Sequence, residues 1–376
     1  VIGPPSVVTD LASVETMLSE WRSLAATSAR APLDSPDWLL PLARRYLSHY
    51  GVRFLVWRDA GELVGVAPLS LVADRPRFRP LRELALWGSI GPRMRGLADV
   101  VARDKSRPEV LDSLTEWLAA NREWDLLRIV RPQVGSTTPQ RLKAAAAASG
   151  WTYAAYANVR STTYQLDLPD SPAGWDSHLG SKARKVMRWE LRKFADFKHG
   201  RIEAVAPETD LKDALEAVER LLHERWGESE VYFARDPRFG PFVHEAVSGM
   251  TQQGAAWVTV ARDDSGIQGV LVSLAQNGCA MALTVAMTTE AAYRPFSLGK
   301  HLFDAGLAEA VRRGCHTYDF LWVGGYKESF WHAQPRFLES AMVGRGVVGR
   351  TAARLLARRE GGVGSAGKSV PAGNTE

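Results

Sequence analysis

The sequence is short of cysteine, of long apolar runs and of charge imbalance, and each shortage excludes something. Cys279 and Cys315 are its two cysteines. Their spacing fits no metal or redox motif, which excludes a disulfide scaffold, predicts no bound metal and points to a reducing compartment. No apolar run approaches the ~18 residues that a membrane-spanning helix needs. The opening stretch, "VIGPPSVVTDLASVE", lacks a basic start followed by an apolar core, so no secretory leader is expected and a cytoplasmic location is. The net charge is only +5 and the pI about 9.2. That balance suits anionic ligands without requiring one.

What is present is an ordinary globular balance, 45% apolar and 24% charged over 376 residues, enough for two domains with cores of their own. The two halves echo each other. "RFLVWRDAGELVGVAPLSL" (53–71) and "WVTVARDDSGIQGVLVSL" (257–274) each read as strand, Arg-Asp, Gly-bearing turn and strand, a hairpin signature. "WDLLRIV" (124–130) resembles "TYDFLWV" (317–323), with Asp125 opposite Asp319. An amphipathic helix precedes each, at roughly 107–120 and 299–313. Helical periodicity also marks 11–28, 35–48 (opened by Ser35-Pro36), 209–226 and 236–250. The expectation is an α/β fold of two duplicated lobes with mixed, mostly antiparallel sheets and flanking helices. The first lobe is placed at 1–160, the second at 161–345, and a basic helix with a flexible tail at 346–376.

The tail holds a decoy. Gly362 to Ser369 satisfies the phosphate-loop pattern G-x-x-x-x-G-K-[ST], and Gly362, Gly364 and Gly367 satisfy G-x-G-x-x-G. Either motif must follow a strand and open a helix. Here the stretch follows "RTAARLLARRE", a basic amphipathic helix, and "PAGNTE" after it carries no helical pattern. No nucleotide site is expected there.

A better anion site lies in "TVAMTTEAAYRPFSLGKHLFDAGLAEAV". A strand ends near Met287, and Ser297-Leu298-Gly299-Lys300 enters a helix with Leu302, Phe303, Leu307 and Val311 on one face. Backbone amides at such a turn point outward and, with the helix dipole, suit a pyrophosphate. Lys300 would add a cation. The alternative is an ordinary helix start with Ser297 as its cap. The first half enters its helix through "VARDKSRPEV", without glycine. Beyond the strand "TYDFLWV", Tyr326, Lys327 and Glu328 form a polar group that could meet a substrate, with Asp319 either joining them or serving as a structural partner of an arginine.

A basic helix spans 181–193, where Arg184, Arg188 and Arg192 share one face with Lys182, Lys185 and Lys193 nearby and Glu190 the single acid. That face could hold a phosphate-rich ligand or tRNA, or be a solvated surface. His223, Arg225 and Trp226 could line a substrate cleft, or Trp226 could pack its own helix end. Cys315 reads as structural, because it sits where a helix gives way to a buried strand.

Together these segments resemble the GNAT acyltransferases, in particular the Fem-like tandem branch and the CelD/BcsL-type acetyltransferases of cellulose biosynthesis. The resemblance runs from about residue 10 to 345 and is carried by Ser297-x-Gly299, Asp319-Phe320-Leu321, Gly325-Tyr326-Lys327 and Trp331. "SKARKVMRWELRKF" (181–194), "LLHERWG" (221–227), "SPDWLLPL" (35–42) and "GLADVVA" (96–102) add to it. Two departures stand out: Val100 replaces a tyrosine after Asp99, and Val323-Gly324-Gly325 replaces an acidic Gly-Asp-Glu.

The resemblance implies acyl transfer from acetyl-CoA or another acyl-CoA, by direct attack on the thioester, to an amine or hydroxyl of a sugar, polysaccharide precursor or natural product. It implies donor contacts from the backbone of Val285, Ala286 and Met287 and from Ser297, Leu298, Gly299 and Lys300. Lys327 would stabilise the oxyanion, Asp319, Glu328 or His332 would act as general base, directly or through water, and Tyr326 would belong to the same catalytic group. Asp99, Arg184, His223, Arg225, Trp226 and Trp331 would meet the acceptor. Two rivals remain: a Fem-like transferase that uses aminoacyl-tRNA, and a non-catalytic binding module.

Overall fold

In the computed structural model, residues 2–28, 31–73, 81–89, 98–158, 161–206, 210–227, 236–321 and 326–362 are described. The chain opens with β1 (Ser6–Val8), α1 (Leu11–Thr16), α2 (Leu18–Ser28) and α3 (Pro36–Tyr46). The first hairpin, β2 (Gly51–Asp59) and β3 (Glu62–Ala73), is followed by β4 (Arg82–Leu86), β5 (Val101–Ala102), α4 (Arg107–Ala120) and β6 (Leu126–Ile129). Next come α5 (Thr138–Ser149), β7 (Thr152–Tyr156), β8 (Thr162–Asp167), α6 (Pro172–His178), α7 (Ser181–Asp196) and β9 (Arg201–Ala204). Helices α8 (Leu211–Trp226) and α9 (Phe239–Gln252) precede β10 (Ala256–Asp263), β11 (Gly266–Gln276) and β12 (Cys279–Met287). The chain continues through α10 (Leu298–Arg312), β13 (Thr317–Asp319), α11 (Tyr326–Trp331), β14 (Gln334–Phe337), β15 (Ser340–Gly344) and α12 (Gly346–Gly362).

These elements pack as two compact units. The first comprises Val1–Ala29, Tyr46–Thr163 and Arg336–Glu376, the second Arg30–Arg45 and Tyr164–Pro335. The first unit's sheet runs β1-β2-β3-β4-β6-β15-β7, with β5 against β3. The other sheet runs β14-β8-β13-β12-β11-β10-β9. In each sheet one recorded pair is parallel, β4 with β6 and β12 with β13, and each parallel connection carries a helix, α4 or α10. Two mixed α/β sheets of matching design are the tandem arrangement the sequence led us to expect.

The repeat extends to a detail. Hairpin β2–β3 shifts register between Trp57 and Arg58, and β10–β11 shifts between Ala261 and Arg262. Both bulges fall at the Arg of the Arg-Asp turn, where an extra residue raises the local twist. The proposed match of Asp125 with Asp319 does not hold in space. Asp125 precedes β6 and bonds Arg82, whereas Asp319 ends β13; the parallel registers align Leu126 with Thr317.

The unit limits differ from the sequence reading at two places. Residues 31–45 pack with the second unit, where Trp38 meets Phe242 edge-on at 4.8 Å. Residues 340–362 belong to the first unit, because β15 pairs with both β6 and β7 and α12 packs against β15 and β7. Pairing within a sheet, not proximity in sequence, assigns a strand to its unit. Residues 11–28 form two helices parted at Met17, not one. The glycine-rich decoy from 363 onward lies outside the described residues, and its Gly362 ends α12. Among the described residues, no helix is long and apolar enough to cross a membrane.

The first unit's core holds Leu55, Trp57, Leu69, Leu111, Leu114 and Leu127, and the second's holds Leu271, Leu302, Phe303, Leu307, Tyr318 and Phe320. α12 crosses the first sheet closely enough that Gly349 needs its missing Cβ: an added carbon would fall on the carbonyl oxygen of Asp125. Gly to Ala inside an exposed helix normally stabilises by about 1 kcal/mol. We expect Gly349→Ala to destabilise instead, by about 1–3 kcal/mol, in chemical denaturation. A stabilised variant would show that α12 does not sit this close.

Candidate active site

In the second unit, β12 is bulged and then leaves its neighbour. Its register with β11 shifts between Val272 and Ser273, leaving Leu283 as the extra residue. Its parallel pairing with β13 covers only Cys279–Met281 against Thr317–Asp319. Beyond that point β13's continuation turns to the other side: Phe320 donates its backbone N–H to Tyr164, and Tyr164 donates to Leu321. The segment Val285, Ala286 and Met287 is thus bonded to β11 but to no strand on its β13 side among the described residues. Unpaired strand edges of this kind can accept a ligand's amides and carbonyls.

After β12 the chain makes a short 3-10 turn, Ala291–Phe296, and enters α10 through Ser297. Ser297 lies in the left-handed region (φ 47°, ψ 43°) and makes no side-chain cap bond to the helix. Its hydroxyl instead donates to Glu190 Oε1 of α7 at 2.9 Å. The same carboxylate contacts His301 Nε2 at 3.1 Å and Lys300 Nζ at 3.6 Å. Lys300, expected to be a free cation, is thus ion-paired to Glu190. Burial pushes the His301 imidazole below its usual range, partly offset by Glu190. Leu298 and Gly299 supply the first two amides of α10, which have no carbonyl partner within the helix. Gly299 also has a packing role, since an added Cβ would press on Met287 Sδ at 2.8 Å.

Lys327, on α11, is 1% exposed. Its ammonium lies 4.5 Å from the Phe303 ring centroid and 5.2 Å from that of Phe320. Phe320 in turn stacks on the fully buried Trp331 at 5.6 Å. Burial pushes the Lys327 pKa down to about 7, while the charge of Asp319 pulls it back up. Asp319 accepts from Gln165 Nε2 at 3.2 Å and from the Leu321 N–H at 2.6 Å. Lys300 sits over the Phe330 ring at 5.2 Å, so α11 covers the first turns of α10 from two positions. The structure thus brings Asp319, Lys327, Lys300 and the α10 entry into one neighbourhood.

Other expected residues are placed differently. Trp331 is enclosed in the core, where it stacks on Phe320. Asp99 belongs to the first unit and is fully buried, its carboxylate bonded by Arg107 at 2.8 Å and Thr138 at 2.6 Å. That ion pair explains it without a substrate. Arg184 lies on the exposed side of α7, and His223, Arg225 and Trp226 end α8 in exposed positions, with Arg225 over the Trp226 ring. Tyr326 opens α11, and Glu328 and His332 are exposed. Val323-Gly324-Gly325 lies outside the described residues.

Sequence reasoning missed Glu190, His301 and Glu224. Glu224 accepts from the Thr289 N–H at 2.7 Å and from the hydroxyls of Thr289 and Thr288, tying α8 to the turn after β12. Burial raises its pKa, but these bonds outweigh it and hold the carboxyl below its usual range. The lone acid among six cations was a signal for Glu190, because an acid facing inward from a basic helix needs donors.

A bulged strand, a helix entered through a left-handed serine and a buried lysine thus stand together in the second unit. Residues 181–332 match the acetyltransferase (GNAT) domain family. The matched stretch lies within the second unit, so the likeness to a GNAT acetyltransferase domain belongs to that unit. No protein of curated function matches the chain. Among solved structures it resembles FemX at 13% identity, covering 86% of this chain and 95% of that one, with a TM-score of 0.60. It also resembles the C-terminal domain of a putative lysylphosphatidylglycerol synthetase from Agrobacterium fabrum (13% identity, 92% and 96% covered, TM-score 0.52). A third likeness is a conserved protein of unknown function from Bacteroides thetaiotaomicron (12%, 91% and 99%, 0.53). At these identities the likeness is one of fold.

The buried lysine carries a prediction. The unfolded chain holds the Lys327 proton up to about 10.5, while the folded protein releases it near 7. Between those values the unfolded state binds more protons, so stability rises with pH through that window. Lys327→Met removes the group. We expect it to be the more stable protein at pH 6, by about 1–3 kcal/mol, with the gap narrowing toward pH 10. Parallel melting profiles for the two proteins would contradict the burial of Lys327.

Proposed function

We propose that the protein transfers an acyl group from acyl-CoA to an amine or hydroxyl of a small-molecule or saccharide acceptor. The observation that carries this reading is the bulged, one-sided end of β12 leading into α10 inside the segment that matches the GNAT domain. In this reading the pantetheine arm lies along Val285–Met287, and the amides of Leu298 and Gly299 face the pyrophosphate. Acyl-CoA supplies an activated thioester. The chain supplies placement of the acceptor, which accounts for much of the rate in direct transfer.

Attack on the thioester carbonyl forms the new C–N or C–O bond and places negative charge on the carbonyl oxygen. Collapse expels the CoA thiolate, and the acceptor's proton must leave. Lys327 is assigned to the developing oxyanion, because a protonated amine in a water-poor aromatic enclosure is a strong donor there. The nearby Asp319 favours the protonated form of that amine. Glu328 and His332 are exposed and can pass the acceptor's proton to solvent.

A second reading, transfer from aminoacyl-tRNA, is favoured by one observation. Lys182, Lys185, Arg188, Arg192 and Lys193 are all exposed on α7, and Trp189 beside them is 51% exposed. The two readings separate by titration. We expect saturable acetyl-CoA binding that is insensitive to tRNA, and turnover of acetyl-CoA across an amine and sugar panel. Lys327→Ala should lower kcat by about 100-fold or more with donor affinity retained. Binding of tRNA without acetyl-CoA would overturn the reading, and full turnover by Lys327→Ala would remove Lys327 from it.

A further inference from the structure

We propose that Glu190 is a positioning residue for the donor site: it latches Ser297 in the left-handed conformation that aims the first amides of α10. The inference rests on the acyl-CoA reading above for its kinetic consequence, but not for its structural one. Ser297 is a non-glycine residue held at φ 47°, ψ 43°, directly after a 3-10 turn. A right-handed residue followed by a left-handed one presents successive N–H groups on one side, an anion-binding geometry. Serine adopts that conformation unwillingly, so something must hold it. Its hydroxyl, the natural helix cap, is not used on the helix at all; it donates to Glu190 at 2.9 Å.

Glu190 is itself fixed. It is buried, 7% exposed, on a helix whose remaining charged side chains face outward, and its other oxygen takes His301 Nε2 at 3.1 Å. With Nε2 carrying the proton toward the carboxylate, His301 Nδ1 is an acceptor, and it is buried with no partner among the described residues. His301 is 3% exposed and one residue beyond Lys300. The carboxylate thus bonds both ends of the entry turn, Ser297 and His301, with Lys300 neutralising it between them. Removing it frees the serine to leave the left-handed region and the amides to turn with it.

The test is a set of variants measured for KM, kcat and amide exchange. Glu190→Ala should raise the KM for acetyl-CoA by about tenfold or more and leave kcat within about twofold. Glu190→Gln keeps an acceptor for the Ser297 hydroxyl and should fall closer to the wild type. Ser297→Gly reaches positive φ without strain, so the double variant Glu190→Ala, Ser297→Gly should recover most of the lost affinity. A loss of KM and kcat together, with no recovery in the double variant, would reduce Glu190 to a structural part and overturn the proposal. Hydrogen exchange of the free protein separates this from failure of the acyl-CoA reading. Faster exchange at Leu298–His301 in Glu190→Ala but not Glu190→Gln supports the latch even if acetyl-CoA does not bind. Unchanged exchange in Glu190→Ala overturns it.

Discussion

The second unit is organised around the enclosure of one ammonium group. Lys327 comes from a six-residue helix too short to be stable alone, yet it is almost completely buried against Phe303 of α10 and Phe320 after β13. An ion deprived of water must find other compensation or lose its charge. Here the ring faces and the nearby Asp319 offset part of the cost, and the rest shows as a depressed pKa. The arrangement requires α10 to lie close over β11 and β12. Glycines serve that approach: a Cβ at Gly306 would press on Leu271, and one at Gly299 on Met287.

Charge on α7 is divided between its two sides. Six cations face outward, whereas the one acid in their midst faces inward and becomes the hub of the α10 entry. The same helix therefore offers a cationic surface and an internal carboxylate. Glu224 plays a comparable part from α8, bonding the threonines that follow β12. Two acidic residues thus brace the two ends of the connection between β12 and α10.

The first unit repeats the hairpin, its bulge and the helix between parallel strands, but spends the corresponding chemistry internally. Arg107, the first residue of α4, is buried and bonded to Asp99, which also accepts from Thr138 and the Val100 N–H. A buried, fully bonded ion pair fixes geometry and leaves little for a ligand. Duplication of a fold need not duplicate its site.

Local pattern was enough to read the hairpins, the α10 and α4 helices and the tandem α/β design, because alternation, turn chemistry and helical periodicity are short-range properties. It also marked Ser297, Gly299, Lys327 and Asp319 as unusual. It could not say which partners they have. Lys300 looked free in sequence and is paired to Glu190; Asp99 and Trp331 looked available and are enclosed; β15 followed the second half in sequence and pairs in the first unit's sheet. The sequence determined where strands, turns and helices form and which residues depart from the local pattern. Tertiary structure alone decided which charges are neutralised and which ring faces enclose Lys327. Those outcomes depend on burial and on contacts between residues far apart in the chain.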